Sequence, residues 1–215
     1  MIGSASRFRE LFVEGSDDEH AIGHLLVRRG VDPLAIPAFK KPGSKKEVLR
    51  AIRVGIRAAT GGSVGFVLDA NDDPQATWES AASRLRSVGV EAPTEIPVSG
   101  FWGVSEDYGT RVGVWLMPDN RRTGALEAFL QDLIEEGDPL LPHAEEAIRR
   151  ARELGARFGR TAAPKALLHT WLAWQKEPGR PYGVAIKARY FAASGPAADQ
   201  FVTWFEQVFG VRPSG

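Results

Sequence analysis

Two segments of the chain, SVGFVLDA at residues 63–70 and RVGVWLMP at residues 111–118, are almost continuously apolar. This pattern is typical of strands in a parallel sheet, because helices cover both faces of such a sheet. The segment SKKEVLRAIRVGIRAAT, in contrast, repeats its apolar residues Leu49, Ile52 and Ile56 at helical spacing. Strands of this kind joined by helices predict an α/β fold with a mostly parallel sheet flanked by helices.

The remaining segments extend this pattern along the chain. We expect strands at FRELFVEG and LAIPAF, an extended piece at EIPVSG, and helices at SDDEHAIGHLLVRRG, around residues 74–88 and at GALEAFLQDLIEEG. We therefore predict an α/β unit at residues 1–136 and a helical C-terminal extension at residues 137–215, together forming one structural unit. The extension carries four large aromatic residues that we expect to be buried: Trp171, Trp174, Trp204 and Phe205.

Composition excludes several classes of protein. Lys plus Arg and Asp plus Glu number 27 each, so bulk positive charge does not drive nucleic-acid binding, although a local basic patch is compatible with this balance. Cysteine is absent, which excludes disulfides and thiolate metal sites. No apolar stretch approaches the ~18 residues of a membrane span, and the first residues contain no hydrophobic signal region. We expect a cytoplasmic protein without membrane association.

Acidic residues follow the predicted strands at the positions where each strand ends. Glu14 ends the first strand and Asp69 ends the third, while Asp18 opens the helix after Glu14. Ligands of open parallel sheets bind at the carboxyl ends of the strands, so neighbouring strands would bring these carboxylates together. Asn71 and Asp73 alternate with Asp69 and could turn toward the same point. Oxygen ligands of this kind suit Mg²⁺, whereas a single acidic residue at a strand end is also an ordinary turn former or helix cap.

Two further residues are candidates for the same site. Glu127 lies near the start of the helix that follows RVGVWLMP, where the helix dipole alone could account for it. Lys165 opens KALLHTWLAWQ and could neutralise charge on a transition-state phosphate, or could be a solvated lysine at a helix start.

The motifs Glu14–Gly15 at a strand end and DANDD at residues 69–73 resemble those of the TOPRIM domain of topoisomerases, primases and related nucleases. The chain is most similar to nucleases of the OLD (overcoming lysogenization defect) family and to small bacterial TOPRIM-like proteins. With the small bacterial proteins it shares segments similar to VGVWLMPDN and KALLHTWLAWQ. The resemblance covers nearly the whole chain and implies a TOPRIM-like version of the predicted α/β fold.

The resemblance implies a Mg²⁺- or Mn²⁺-dependent nuclease with Glu14 as a metal ligand or general acid/base. It implies further metal ligands at Asp18, Asp69 and Glu127. Asn71 stands where the family has a second Asp; it can coordinate through its carbonyl oxygen but adds no charge, and Asp73 could compensate for it. In two-metal hydrolysis one ion activates water and the other stabilises the leaving oxygen. The alternatives are a catalytically decayed TOPRIM-like binding module of a defence or repair assembly, and a phosphatase or nucleotide-binding regulator.

Basic residues precede and enter the amphipathic helix at SKKEVLRAIRVGIRAAT. Lys41, Lys45, Lys46 and Arg50 could follow the phosphates of a nucleic acid, with DNA favoured over RNA, or could simply form the solvated face of the helix. KKPGSKKE lacks the ending of a P-loop, so any ATPase partner would be another chain. A homo-oligomer is also compatible with the resemblance.

Overall fold

The computed structural model describes residues 8–211, so the outer ends of the two predicted units, residues 1–7 and 212–215, lie outside it. The protein has an α/β fold in which a five-stranded sheet is flanked by helices and followed by a helical C-terminal extension. The strands are β1 (Arg9–Phe12), β2 (Ala38–Lys40), β3 (Ser63–Asp69), β4 (Phe101–Val104) and β5 (Arg111–Met117). The helices are α1 (Ser16–Arg28), α2 (Lys45–Ala58), α3 (Pro74–Arg86), α4 (Leu126–Gln131), α5 (Leu140–Glu153), α6 (Ala163–Leu172), α7 (Tyr182–Lys187) and α8 (Pro196–Phe209).

The order of the strands across the sheet is β2-β1-β3-β5-β4. Strands β2, β1, β3 and β5 are parallel to one another, and β4 pairs antiparallel with β5 at the edge. β3 and β5 are central, and their side chains alternate between two hydrophobic clusters, one on each face of the sheet. This double burial explains why both strands are almost continuously apolar, and it confirms the predicted mostly parallel sheet.

The two faces of the sheet are covered by different helices. Helices α2 and α3 pack together on one face, over side chains such as Phe66 and Val114. On the other face, α1, α4 and the C-terminal helices share a single cluster that includes Leu11, Trp115 and Trp204. Because that cluster combines the sheet with α6, α7 and α8, the C-terminal extension and the sheet bury a common core.

Helix α8 attaches the extension closely to the sheet. A Cβ atom at Gly113 of β5 would lie 2.2 Å from Val208 Cγ2, so only glycine permits this approach. Trp204 is fully buried and donates its Nε1–H to the Phe101 carbonyl oxygen of β4 at 2.9 Å. The predicted burial is confirmed for Trp171, Trp204 and Phe205, but Trp174 is 39% exposed and stacks on His143 at the surface.

Several predicted segments have other bounds in the structure. LAIPAF is a 3-10 turn at Pro33–Ala35 followed by the short strand β2. EIPVSG is irregular, and the strand lies just after it, as β4. The helix predicted at GALEAFLQDLIEEG is only the six-residue α4. Gly124 pairs with Asn71 before the helix begins, and the residues after Gln131 form turns instead of further helix. None of the helices within residues 8–211 is long and apolar enough to cross a lipid bilayer.

Candidate metal and phosphate site

The carboxyl ends of β1 and β3 are adjacent, as the sequence predicts. Phe12 at the end of β1 pairs with Phe66, which leaves Glu14 beside the end of β3. The side chain of Glu14 crosses to β3, where its Oε1 accepts a hydrogen bond from the Asp69 backbone N–H at 3.0 Å. One backbone contact therefore fixes the two predicted acidic residues relative to each other.

Asp18 and Glu127 approach the same place from two helices. Asp18 lies in the first turn of α1, is 8% exposed, and accepts the Gly15 N–H through Oδ2 at 2.9 Å. Asp69 Oδ1 accepts the Leu126 N–H at 3.1 Å, which ties the start of α4, and with it Glu127, to the end of β3. We call Glu14, Asp18, Asp69 and Glu127 the acidic cluster.

Neighbouring carboxylates contribute to the raised pKa values of two members of the acidic cluster, Asp69 and Asp18. Burial raises the pKa of Asp69 to about 8, and the charges of Glu14, Asp18 and Glu127 add to the shift against one stabilising hydrogen bond. Burial also raises the pKa of Asp18 to about 6, together with the charges of Glu14 and Glu127. These shifts indicate that a cation bound beside Asp69 and Asp18 would favour their ionised forms.

Two lysines supply part of the missing positive charge. The Lys165 Nζ lies 3.2 Å from Glu127 Oε1. Burial disfavours the charged form of Lys165, but the nearby charge of Glu127, with Asp17 and Asp18, raises its pKa overall. Lys165 is therefore a firmly protonated cation at the edge of the acidic cluster.

The second lysine, Lys45, lies at the start of α2. Burial raises the pKa of Glu14, while hydrogen bonds from the Asp69 and Lys45 amides and the charge of Lys45 oppose the shift. The Lys45 ammonium also donates to Thr77 Oγ1 at 3.3 Å, at the start of α3. The sequence predicted Lys45 as a contact to a nucleic-acid backbone, and the structure places it beside the carboxylate of Glu14.

The remaining residues of the predicted basic surface are arranged differently. Lys41 pairs with Glu19 of α1, and Arg50 pairs with Glu47 within α2 at 2.7 Å. Lys46 is exposed. Of the four predicted residues, Lys45 alone acts on a member of the acidic cluster.

Asn71 and Asp73, the other two predicted ligands, have local backbone roles. Asn71 is exposed, has a left-handed backbone (φ 55°) and exchanges two backbone hydrogen bonds with Gly124. Asp73 caps α3, with Oδ1 accepting the Ala76 N–H at 2.8 Å. Neither contributes to the pKa shift of Asp69. The structure thus joins four of the six predicted ligands, and Asp73 takes the alternative role of a helix cap.

The donor set of the acidic cluster fits a hard divalent cation, because it consists of carboxylate oxygens whose charge Lys45 and Lys165 offset only in part. Within residues 8–211, however, no three Asp, Glu or His side chains converge as a ready-made metal site. The reason is visible in their partners: backbone amides hold Glu14, Asp18 and Asp69, and Lys165 holds Glu127. Metal binding would require some of these side chains to change rotamer.

A pocket of ≈390 Å³ opens beside Glu127. Asn71 and Thr123 line one side of it, and Arg160 and Thr161, just before α6, line the other. Arg160 carries no motif in the sequence and was not predicted as a site residue; it begins a short 3-10 helix, Arg160–Ala162. Only the packing of α6 against α4 brings it near the acidic cluster.

Comparison with known proteins gives a family but no activity. A family model described as "Protein of unknown function (DUF3226)" matches residues 9–210. No curated protein and no solved structure matches the chain.

Proposed function

This chain belongs to the DUF3226 family, and we propose that its acidic cluster binds Mg²⁺ or Mn²⁺ and that the protein hydrolyses phosphodiester bonds of nucleic acid. The observation that carries the proposal is the convergence of Glu14, Asp18 and Asp69 where β1 and β3 end side by side, and the pKa of Asp69, raised to about 8, supports it. Such a shift marks a site where a cation would be strongly favoured. The resemblance to TOPRIM nucleases supports the same assignment.

The residues of the site have two tasks in this proposal, to hold the metal and to offset charge on the phosphate. Glu14, Asp18, Asp69 and Glu127 would hold the metal, which would supply an activated water and a Lewis acid for the phosphate. Asp69 and Glu14 are positioned by the hydrogen bond that joins β1 to β3. Lys165 would exchange its contact with Glu127 for the phosphate and offset the charge that develops there. DNA is the favoured substrate, and an ATPase partner, where one acts, would be another chain in the cytoplasm.

A second candidate function is a TOPRIM-like binding module without catalysis. The observation that favours it is the lack of a preassembled ligand set within the described residues, together with Asn71 in place of an acidic residue. Such a module would present the same pocket to nucleic acid or protein but would have no need of a divalent ion. The two functions therefore differ in metal dependence.

Cleavage of supercoiled plasmid and of single-stranded DNA tests the proposal. We expect nicking with Mg²⁺ or Mn²⁺ and none with EDTA, and we expect the Glu14→Ala and Asp69→Ala variants to lose at least about a hundredfold in rate. Asp107→Ala, a change at an exposed turn residue between β4 and β5, is the matched control and should cleave normally. Activity that persists in both cluster variants would overturn the proposal. Metal-dependent stabilisation without cleavage would support the binding module.

A further inference from the structure

A second cavity, of ≈610 Å³, lies between α4, α5 and α6. Ile148, Pro164 and Leu167 contribute apolar surface to it. Its volume lies within the range of about 300–1,000 Å³ that is common for sites of small organic groups. The cavity can therefore accommodate an apolar ring system, such as a nucleobase.

This cavity adjoins the pocket beside the acidic cluster. Arg160 and Pro164 line both spaces. The smaller pocket also includes Glu127, so a groove runs from the acidic cluster, past Arg160, to the apolar surface of Ile148 and Leu167. A chain-like ligand could occupy both ends at once.

The charges along the groove favour an anion near Arg160. Arg149 forms ion pairs with Glu146 and Glu153, so its positive charge is neutralised. In the described part of the chain, Arg152 and Arg160 form no ion pair, and both line the larger cavity. Glu145 and Glu153 also line that cavity; Glu153 is paired with Arg149 and Arg150, and Glu145 offsets one of the two unpaired arginines, so the lining keeps an excess of one positive charge.

We propose that the groove holds one unpaired nucleotide adjacent to the phosphodiester at the acidic cluster, with its base against Ile148 and Leu167 and its phosphate on Arg160. The inference rests on the proposed function and adds the substrate class, a single-stranded segment. A base inside a duplex is stacked and paired, so it cannot enter a lateral cavity without leaving the helix. The guanidinium of Arg160 suits a phosphate because it donates several hydrogen bonds from one plane.

Binding of a fluorescein-labelled oligothymidylate, followed by anisotropy with Ca²⁺ in place of Mg²⁺, tests this inference. We expect Arg160→Ala to weaken binding about tenfold or more, because the substitution removes the charge-assisted hydrogen bonds to the phosphate. Arg157→Ala is the matched control, because Arg157 is exposed in the same segment but does not line the groove. An abasic oligomer with the same phosphates should bind at least about fivefold more weakly to the wild type.

Each result decides the inference separately from the proposed function. Equal binding by Arg160→Ala and wild type, equal affinity for the abasic oligomer, tighter binding of the corresponding duplex, or no binding of the strand would overturn it. Thymidine monophosphate that competes as well as the strand would also overturn it, in favour of a free nucleotide. Cleavage of the same oligomer is measured with Mn²⁺: a protein that binds as expected but does not cleave would retain the inference and lose the nuclease function.

Discussion

Asp69→Asn is expected to stabilise the protein progressively as the pH rises from about 4 to 8 in the absence of divalent ions. The pKa of Asp69 is raised from 3.8 to about 8 in the folded protein, chiefly by burial and then by the other three carboxylates. Between these values the folded state binds the proton and the unfolded state does not, so the contribution of Asp69 to wild-type stability falls by about 1.4 kcal/mol per pH unit. Asparagine cannot ionise, and its Oδ1 can still accept the Leu126 N–H. The free energy of unfolding of the variant, relative to wild type, should therefore increase by roughly 3–5 kcal/mol over this interval.

Urea unfolding at several pH values, in buffers with EDTA, measures this difference. Asp107→Asn, in an exposed turn, is the control and should follow the wild type at each pH. Mg²⁺ should restore stability at pH 8 in the wild type but much less in Asp69→Asn. A constant difference between wild type and Asp69→Asn across the pH range would show that the carboxyl is ionised throughout and that the cluster needs no cation.

Lys165→Ala should reduce the rate of DNA cleavage by about a hundredfold to a thousandfold, the cost of removing one charge-stabilising donor. Metal affinity should stay the same or rise, because the substitution releases Glu127 from its contact with Lys165. Lys165 is half-exposed, and exposed ion pairs contribute little to folding, so the stability of the variant should change by less than about 1 kcal/mol.

The comparison of kcat with metal affinity separates a catalytic lysine from a structural one. Lys165→Arg keeps the positive charge and should recover part of the rate. Lys176→Ala, at an exposed lysine after α6, is the matched control and should be unaffected. A Lys165→Ala variant that cleaves at the normal rate, or that loses metal binding together with activity, would contradict the assigned role.

The central strands could be predicted from the sequence because burial on both faces of the sheet requires apolar residues at nearly every position. β3 and β5 are apolar at nearly every position, and the helices that flank them repeat their apolar residues at helical spacing. β4 does not show this pattern: it has four residues, and Trp102 and Val104 face solvent at the edge of the sheet. α4 was predicted too long because the apolar residues after Gln131, including Leu133 and Ile134, are buried without being helical. Tertiary packing determines the conformation of such segments, and the spacing of apolar residues along the sequence does not reveal this packing.

The candidate site could be predicted only where strand ends fix it. Glu14 and Asp69 follow neighbouring parallel strands, so their proximity is a consequence of topology. Asp73 shows the limit of this reasoning, because an acidic residue three positions before an amide at a helix start can cap that helix. Lys45 and Arg160 depend on how helices pack around the site, which their sequence positions do not reveal. The positions of residues at the ends of neighbouring strands predict which of them come together. They do not predict the residues that separate helices contribute to the site.

Mn²⁺ titration by calorimetry at pH 7, in two buffers of different ionisation enthalpy, tests the metal site most directly. Asp69, with a pKa of about 8, is mostly protonated at this pH, so an ion that binds its carboxylate must displace the proton. We predict binding to the wild type with release of about one proton, weak or no binding to Asp69→Asn, and normal binding to Asp73→Asn, which retains the helix cap. No binding heat, or binding whose enthalpy is the same in both buffers, would contradict a metal site at the acidic cluster.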